Sequence, residues 1–314
     1  MTILRRTFLA ATAALLLADP GAAQFGPGGG RGLRGGKNGP LVRTEGGVWV
    51  NEDTVRTARE TAGHSVDLPA WTNDPAFAGD TFTFARIIFK SRRNPGTDGL
   101  GWVIDYPDAD LNLSYRLHEL TALRVNPDGR VLKLTDPQLN RYPFIYAEHV
   151  EGMQLSDSEI LALRNFLAAG GVLMVNDTWG AQAWINFTGQ MARVLPGRSW
   201  TELGIDHPMF HCVFDLRGPM QALQVPTLHF WNRSYDPADP QSPTTRNRGY
   251  AGYETMHVRA WADDKGRFMI VAVHNSDTSD GWEREGENAD YFQQFSETRA
   301  YPLMINIVVY LMTH

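Results

Sequence analysis

The stretch PFIYAEHVEGMQLSDSEILALRNFLAAGGVLMV, residues 143–175, decides the fold. Pro143 to Ala147 is an apolar and aromatic run that reads as a strand. Ser156 and Glu159 supply the two halves of a capping box, so a helix is expected over residues 157–169. Ile160, Leu163 and Leu167 recur on one face of it, and Gly170-Gly171 stops it. Val172-Leu173-Met174-Val175 is then a short strand apolar at every position, as in a sheet covered on both faces. Strand, helix, strand at this spacing is a parallel crossover, which makes the chain α/β with a mostly parallel sheet.

Working outward, residues 81–89 (TFTFARIIF) are a second buried strand, and residues 131–134 a third. Strands are also expected at 102–106, 209–216 and 227–231. Residues 250–261 and 267–274 form a C-terminal β-hairpin across Asp263-Asp264-Lys265-Gly266. Helices are expected at 51–62, 109–123 (apolar face Leu111, Leu113, Leu117, Leu120 and Leu123), 181–194 and 303–312. No internal repeat of solenoid type is present.

The flanking N-terminal sequence is of another kind. Arg5-Arg6-Thr7-Phe8-Leu9 followed by an apolar run to Ala18 reads as a twin-arginine export signal, with Gly21-Ala22-Ala23 before a cleavage point at Gln24. The expected organisation is a signal over 1–23, a Gly-rich flexible tether over 24–40, an N-terminal extension over 41–79 and an α/β domain over 80–314. That places the protein in the periplasm. About 290 residues remain after the signal, ample for a core. A net charge of −6 with mixed signs argues against a nucleic-acid partner, and no apolar run past the signal is long enough to span a bilayer. Cys212 is the only cysteine, which excludes an internal disulfide and a cysteine zinc cluster. It reads as a core residue of the strand at 209–216. The tether glycines have no strand before them and no helix clearly after, so they are not a phosphate loop.

Five segments in order carry a resemblance: Asp105-Tyr106-Pro107 with Asp110-Leu111-Asn112, Gly170-Gly171 with the strand ending in Asn176-Asp177, Asp206-His207-Pro208-Met209-Phe210, His274-Asn275-Ser276-Asp277, and the closing residues 306–314. Over residues 81–314 the chain resembles the bacterial family called domain of unknown function 4159. The resemblance implies a three-layer α/β domain similar to class I glutamine amidotransferase and flavodoxin-like folds, and no established activity. The Asp206-His207-Pro208 turn also looks like one in sugar-utilisation relatives of that fold. Amidotransferases carry a Cys nucleophile at a strand-to-helix elbow. Here Asn176-Asp177-Thr178-Trp179 follows the strand, so thiolate amidotransfer is excluded.

In a parallel sheet, ligands bind beyond the carboxyl ends of the strands. That rule selects Asp105 and Asp110, Glu148 and His149, Asn176 and Asp177, and His274, Asn275 and Asp277. Asp105, Asp177 and His274, if they converge, supply a base, a positioning group or ligands for a hard or borderline divalent cation. Their bland alternative is capping, as for Asp110 at the start of the helix at 111–123. Asp110, Asn176, Trp179, His207, Asn275, Asp277 and Trp282 are the ligand-binding candidates. Trp179, Trp184, Trp231 and Trp282 are available to stack on sugar rings or to pack. Asp280-Gly281-Trp282-Glu283-Arg284 reads as a polar loop suited to covering or gripping a ligand, or equally as a surface loop whose Glu283 and Arg284 pair weakly. Which cofactor, if any, these residues serve is not legible. The leading expectation is a non-catalytic module binding a small molecule or carbohydrate, or an envelope protein partner; the alternative is a hydrolase acting on a carbohydrate or small metabolite, with or without a metal.

Overall fold

The computed structural model of the chain describes residues 41–92, 101–239, 241–246 and 249–314. The export signal and the tether lie outside the described residues.

A seven-stranded sheet organises the domain: β1 (Ala85–Ile88), β2 (Arg130–Lys133), β3 (Phe144–Glu148), β4 (Val172–Thr178), β5 (Thr201–Glu202), β6 (His257–Ala262) and β7 (Phe268–His274), in the order β2-β1-β3-β4-β7-β6-β5. The first five positions of that order are parallel, with Ile145 opposite Leu173 and Leu173 opposite Ile270. β6 returns antiparallel to β7, and β5 antiparallel to β6. The hairpin is therefore the point where a parallel sheet turns mixed.

Alternation along the strands splits the apolar residues between two cores, one on each face. Ile145, Ala147, Leu173, Val175, Ile270 and Ala272 face α2 (Asp157–Ala168) and α3 (Gly180–Val194). Phe144, Tyr146, Val172, Met174, Val271 and Val273 face α1 (Asp108–Leu120) and the C-terminal helix Tyr301–Thr313. Ser156 accepts from the Glu159 N–H and Glu159 reaches back to Ser156, completing the capping box at the start of α2.

Four expected elements take another form: three short apolar runs that read as strands, and one helix. Residues 102–106 hold a 3₁₀ turn, Gly101–Val103, because both edges of β1 are already taken by β2 and β3. Residues 209–216 and 227–231 hold the 3₁₀ turns Pro208–Phe210 and Leu228–Phe230 instead of strands. Apolar side chains there insert into the core from turns, which pattern alone does not distinguish from strand. Residues 51–62 form only the turn Ala58–Glu60, held by the Asp128 carbonyl. Cys212, consequently, lies exposed in a turn rather than buried in a strand.

Residues 41–79 are drawn onto the domain. Trp71 Nε1 donates to the Val125 carbonyl at 2.8 Å, and Arg284 Nη2 donates to Glu45 at 2.8 Å. No helix among the described residues is long and apolar enough to cross a membrane.

Candidate functional site

Among the described residues, four that are not glycine have left-handed backbone, at φ between 46° and 59°: Asp105, His149, Asp177 and Asn275. Three of them end neighbouring strands, His149 after β3, Asp177 within the last turn of β4, and Asn275 after β7. Asp and Asn tolerate this region better than most residues, yet each instance costs energy that surrounding contacts must offset. The strain is thus concentrated on the carboxyl edge of the sheet.

At the elbow from β4 into α3, Trp179 Nε1 donates to Asp177 Oδ1 at 2.6 Å. His149 Nε2 lies 2.9 Å from Asp177 Oδ2, and His149 Nδ1 lies 3.2 Å from Glu151 Oε1. Asp177, His149 and Glu151 therefore form an acid, imidazole, acid chain leading outward from the buried Asp177. Its outer member, Glu151, lines a cleft of about 520 Å³ together with Arg92, Gln154, Gln182, Asn186 and Gln190. Asn275 closes the elbow from the other side: its Oδ1 accepts from Gly180 N at 2.7 Å and its Nδ2 donates to the Gly252 and Thr255 carbonyls.

Behind the edge lies a set of buried carboxylates. One oxygen each of Asp105, Asp277 and Asp280 fall within 4.8 Å of one another, and so do those of Glu45, Asp105 and Glu283. All but Glu45 are buried. Asp277 Oδ2 accepts from Thr227 at 2.7 Å, and Asp277 Oδ1 accepts from Asp280 N at 2.9 Å. α4 (Asp280–Glu283) is a single turn packed under Asp277, where the sequence suggested a polar loop. Burial, and then the charges of Glu148, Asp277, Asp280 and Asp177, push the Asp105 carboxyl well above the ordinary carboxylate range. Burial with Asp177 and Asp280 does the same to Asp277, and burial with Asp105 and Asp280 to Glu283.

Beside this set, Arg86 is wholly buried between two acids. It donates through Nε to Asp110 at 2.8 Å and through Nη1 to Glu148, and Tyr146 donates to Glu148 at 2.7 Å. One guanidinium between two carboxylates leaves one negative charge in excess. Burial accordingly raises Asp110 and pushes Glu148 up to about 7.

The structure thus brings Asp105, Asp177 and Asp277 into one electrostatic neighbourhood and leaves His274 out of it. His274 Nδ1 meets Arg259 Nη1 at 3.0 Å, Nε2 meets the Gly180 carbonyl at 3.0 Å, and the ring packs on Trp184. Burial, aided by Arg259 and His257, pushes it down to about 3, so it is a neutral packing residue. Asp110 lies in the first turn of α1, where its carboxylate is taken by Arg86. Asn176 is spent on Ser279 and Thr278. His207 accepts from Met209 N and packs on Phe268 at the start of β7, while the carboxylates gather past its end. Trp179, Trp184, Trp231 and Trp282 are all buried, which removes them as sugar platforms.

Glu45, Glu151 and Arg86 were not singled out by the sequence as site residues, and Asp280, Glu283 and Arg284 were read only as part of a polar loop. A signal existed for part of this set: Asp277, Asp280 and Glu283 recur every third residue, the spacing that puts acids on one face of a helical turn. Nothing marked Glu45, which arrives from the far end of the chain.

A family model described as Domain of unknown function (DUF4159) matches residues 83–312, and the chain belongs to that family. No curated protein matches it.

Proposed function

We propose that this member of the DUF4159 family is an exported, non-catalytic module on an amidotransferase-like scaffold, which binds a small polar molecule or a carbohydrate in the envelope. One observation carries the reading. At the elbow where the scaffold would present a nucleophile stands Asp177, with one oxygen held by Trp179 and the other by His149, whose second ring nitrogen is held by Glu151. The acid is engaged at both oxygens and the imidazole at both nitrogens, which supports a role in holding the strand ends together. What faces outward is the cleft beside Glu151, where Gln154, Gln182, Asn186 and Arg92 offer donors and acceptors to a hydroxyl-rich ligand. The export part of the reading rests on Arg5-Arg6 and the apolar run after them.

The acid, imidazole, acid order on a strained strand-to-helix elbow favours a second reading, a hydrolase acting on a carbohydrate or small metabolite, in which one ion pair opens and frees His149 as base for water. One experiment separates the two. The full chain is titrated calorimetrically with oligosaccharides and polar metabolites, and incubated with aryl glycosides and esters. Saturable binding without turnover, lost in the double variant Gln182→Ala/Asn186→Ala, is the expected result. Turnover that disappears in Asp177→Asn and His149→Gln replaces it with the hydrolase.

A further inference from the structure

The carboxylates gathered at Asp105 have a chemistry of their own, independent of the polar cleft. We propose that they hold a hard divalent cation, with one oxygen each of Asp105, Asp277 and Asp280 as protein ligands and with Glu45 and Glu283 on the other side of Asp105.

Geometry supplies the ligand set. Two carboxylate triads, each with its oxygens within 4.8 Å of one another, share Asp105 as their common member. Asp105 is 3 % exposed, and its Oδ2 has no hydrogen-bond partner. Buried polar atoms without a partner are rare, and an uncompensated buried charge is among the costliest arrangements in a protein.

The neighbouring cations pair with carboxylates other than Asp105. Arg284 distributes its guanidinium over Glu45 at 2.8 Å, Glu283 at 2.8 Å and Asp280 at 3.1 Å. His64 lies between Asp108 at 2.8 Å and Glu283 at 3.1 Å. Arg86 is taken by Asp110 and Glu148. Among the described residues, none forms an ion pair with Asp105.

The other two proposed ligands are already oriented by outer partners. Thr227, Ser279 and the Asp280 N–H point at Asp277, and the Leu228 N–H and Arg284 point at Asp280. Each such carboxylate keeps lone pairs for a metal while its direction is fixed, the arrangement that outer partners give to metal ligands. The donors are all oxygen, which selects Ca²⁺, Mg²⁺ or Mn²⁺ over Zn²⁺ or copper.

The full chain, dialysed against a chelator, is melted and titrated calorimetrically with Ca²⁺, Mg²⁺ and Mn²⁺ in turn. At least one ion is expected to bind and to raise the melting temperature. Asp105→Asn is expected to weaken that binding by at least about tenfold and to abolish the thermal shift. In chelator alone the same variant should melt at or above the wild type, because a buried amide needs neither a proton nor a cation to neutralise it; a merely structural Asp105 would not reverse sign between the two conditions. Asp277→Asn provides the same binding readout should Asp105→Asn fail to fold. No binding by any of the three ions, or unchanged affinity in both variants, overturns the proposal and leaves protons as what neutralises the cluster. Neither outcome bears on ligand binding in the cleft, which the oligosaccharide titration reads separately.

Discussion

His149 and Asp177 end adjacent strands in the same strained backbone conformation and are joined twice: the side chains meet at 2.9 Å, and the His149 N–H donates to the Asp177 carbonyl at 3.2 Å. Strain of this kind costs on the order of 1–3 kcal/mol per residue and persists only where neighbours over-determine it. The double link is that over-determination, and it fixes the one edge of the sheet where polar residues from distant segments meet.

Asp177→Asn removes the charge from that link while keeping a residue that tolerates left-handed backbone. It is expected to lower the unfolding free energy by about 2–4 kcal/mol, since it leaves His149 facing an amide in a largely buried setting. Urea unfolding of the variant against the wild type measures this. A change within error of zero would mean that the pair adds nothing to the fold.

Arg86→Met strands two buried carboxylates at once and should destabilise by about 3–5 kcal/mol. The triple variant Arg86→Met/Asp110→Asn/Glu148→Gln should recover a large part of that loss, because no unpaired charge remains. Equal stability of the single and triple variants would show that packing of the long side chain, not charge, sets the cost.

His274 makes acid destabilising in a defined window. Its ordinary value of 6.5 falls to about 3 in the fold, so between those limits the unfolded chain binds a proton that the native chain refuses. The group's contribution is therefore full above pH 6.5 and is lost as pH falls toward 3. His274→Gln should narrow the loss of stability between pH 6.5 and 4 relative to the wild type. Parallel stability curves for the two proteins would contradict this.

Glu148 acts in the opposite sense. With its carboxyl raised from 4.5 to about 7, the native state holds a proton that the unfolded chain has released, and this contribution is present below pH 4.5 and lost as pH rises through 7. Glu148→Gln should flatten the wild-type decline between pH 5 and 8, as read from denaturant midpoints. An unaltered decline would assign that proton to another carboxyl.

Two glycines separate packing from backbone entropy. A Cβ at Gly281, in α4, would come within 2.4 Å of the Ala300 Cβ, so Gly281→Ala should cost about 1–3 kcal/mol. Gly189, exposed in α3, has nothing within 4 Å of such an atom, and Gly189→Ala should gain about 0.5–1 kcal/mol. Thermal melts of both variants test the pair, and equal signs would refute it.

The parts of the fold legible in the sequence were those where a local pattern has one tertiary solution. Ser156 and Glu159 with Gly170-Gly171 bounded α2 to within a residue, and the apolar runs at 144–147 and 172–175 lie inside adjacent parallel strands. The hairpin between residues 257 and 274 was legible for the same reason. Apolar runs at 102–106, 209–216 and 227–231 had two solutions, strand or inserted turn, and the choice depended on which sheet edges were still open.

Of the candidate site, the rule that polar residues gather past parallel strand ends selected Asp177 and Asp277 at the ends of real strands, selected Asp105 beyond an expected strand that is a turn, and could not say which way His274 would face. A strand alternates its side chains, and His274 continues the face of Ile270 and Ala272 to pack on Trp184, while Asn275, in left-handed backbone, closes the elbow.

By itself the sequence determined the α/β class, the parallel crossover at its centre and the absence of a cysteine from the elbow, because each follows from residues close together in the chain. Only the tertiary structure decided that Glu45, Asp105, Asp280 and Glu283 gather in one cluster around Asp105 and that Arg284 is divided among three of them. Charges separated by more than two hundred residues interact only when folding places them in a common low-dielectric space, and no local pattern encodes that distance.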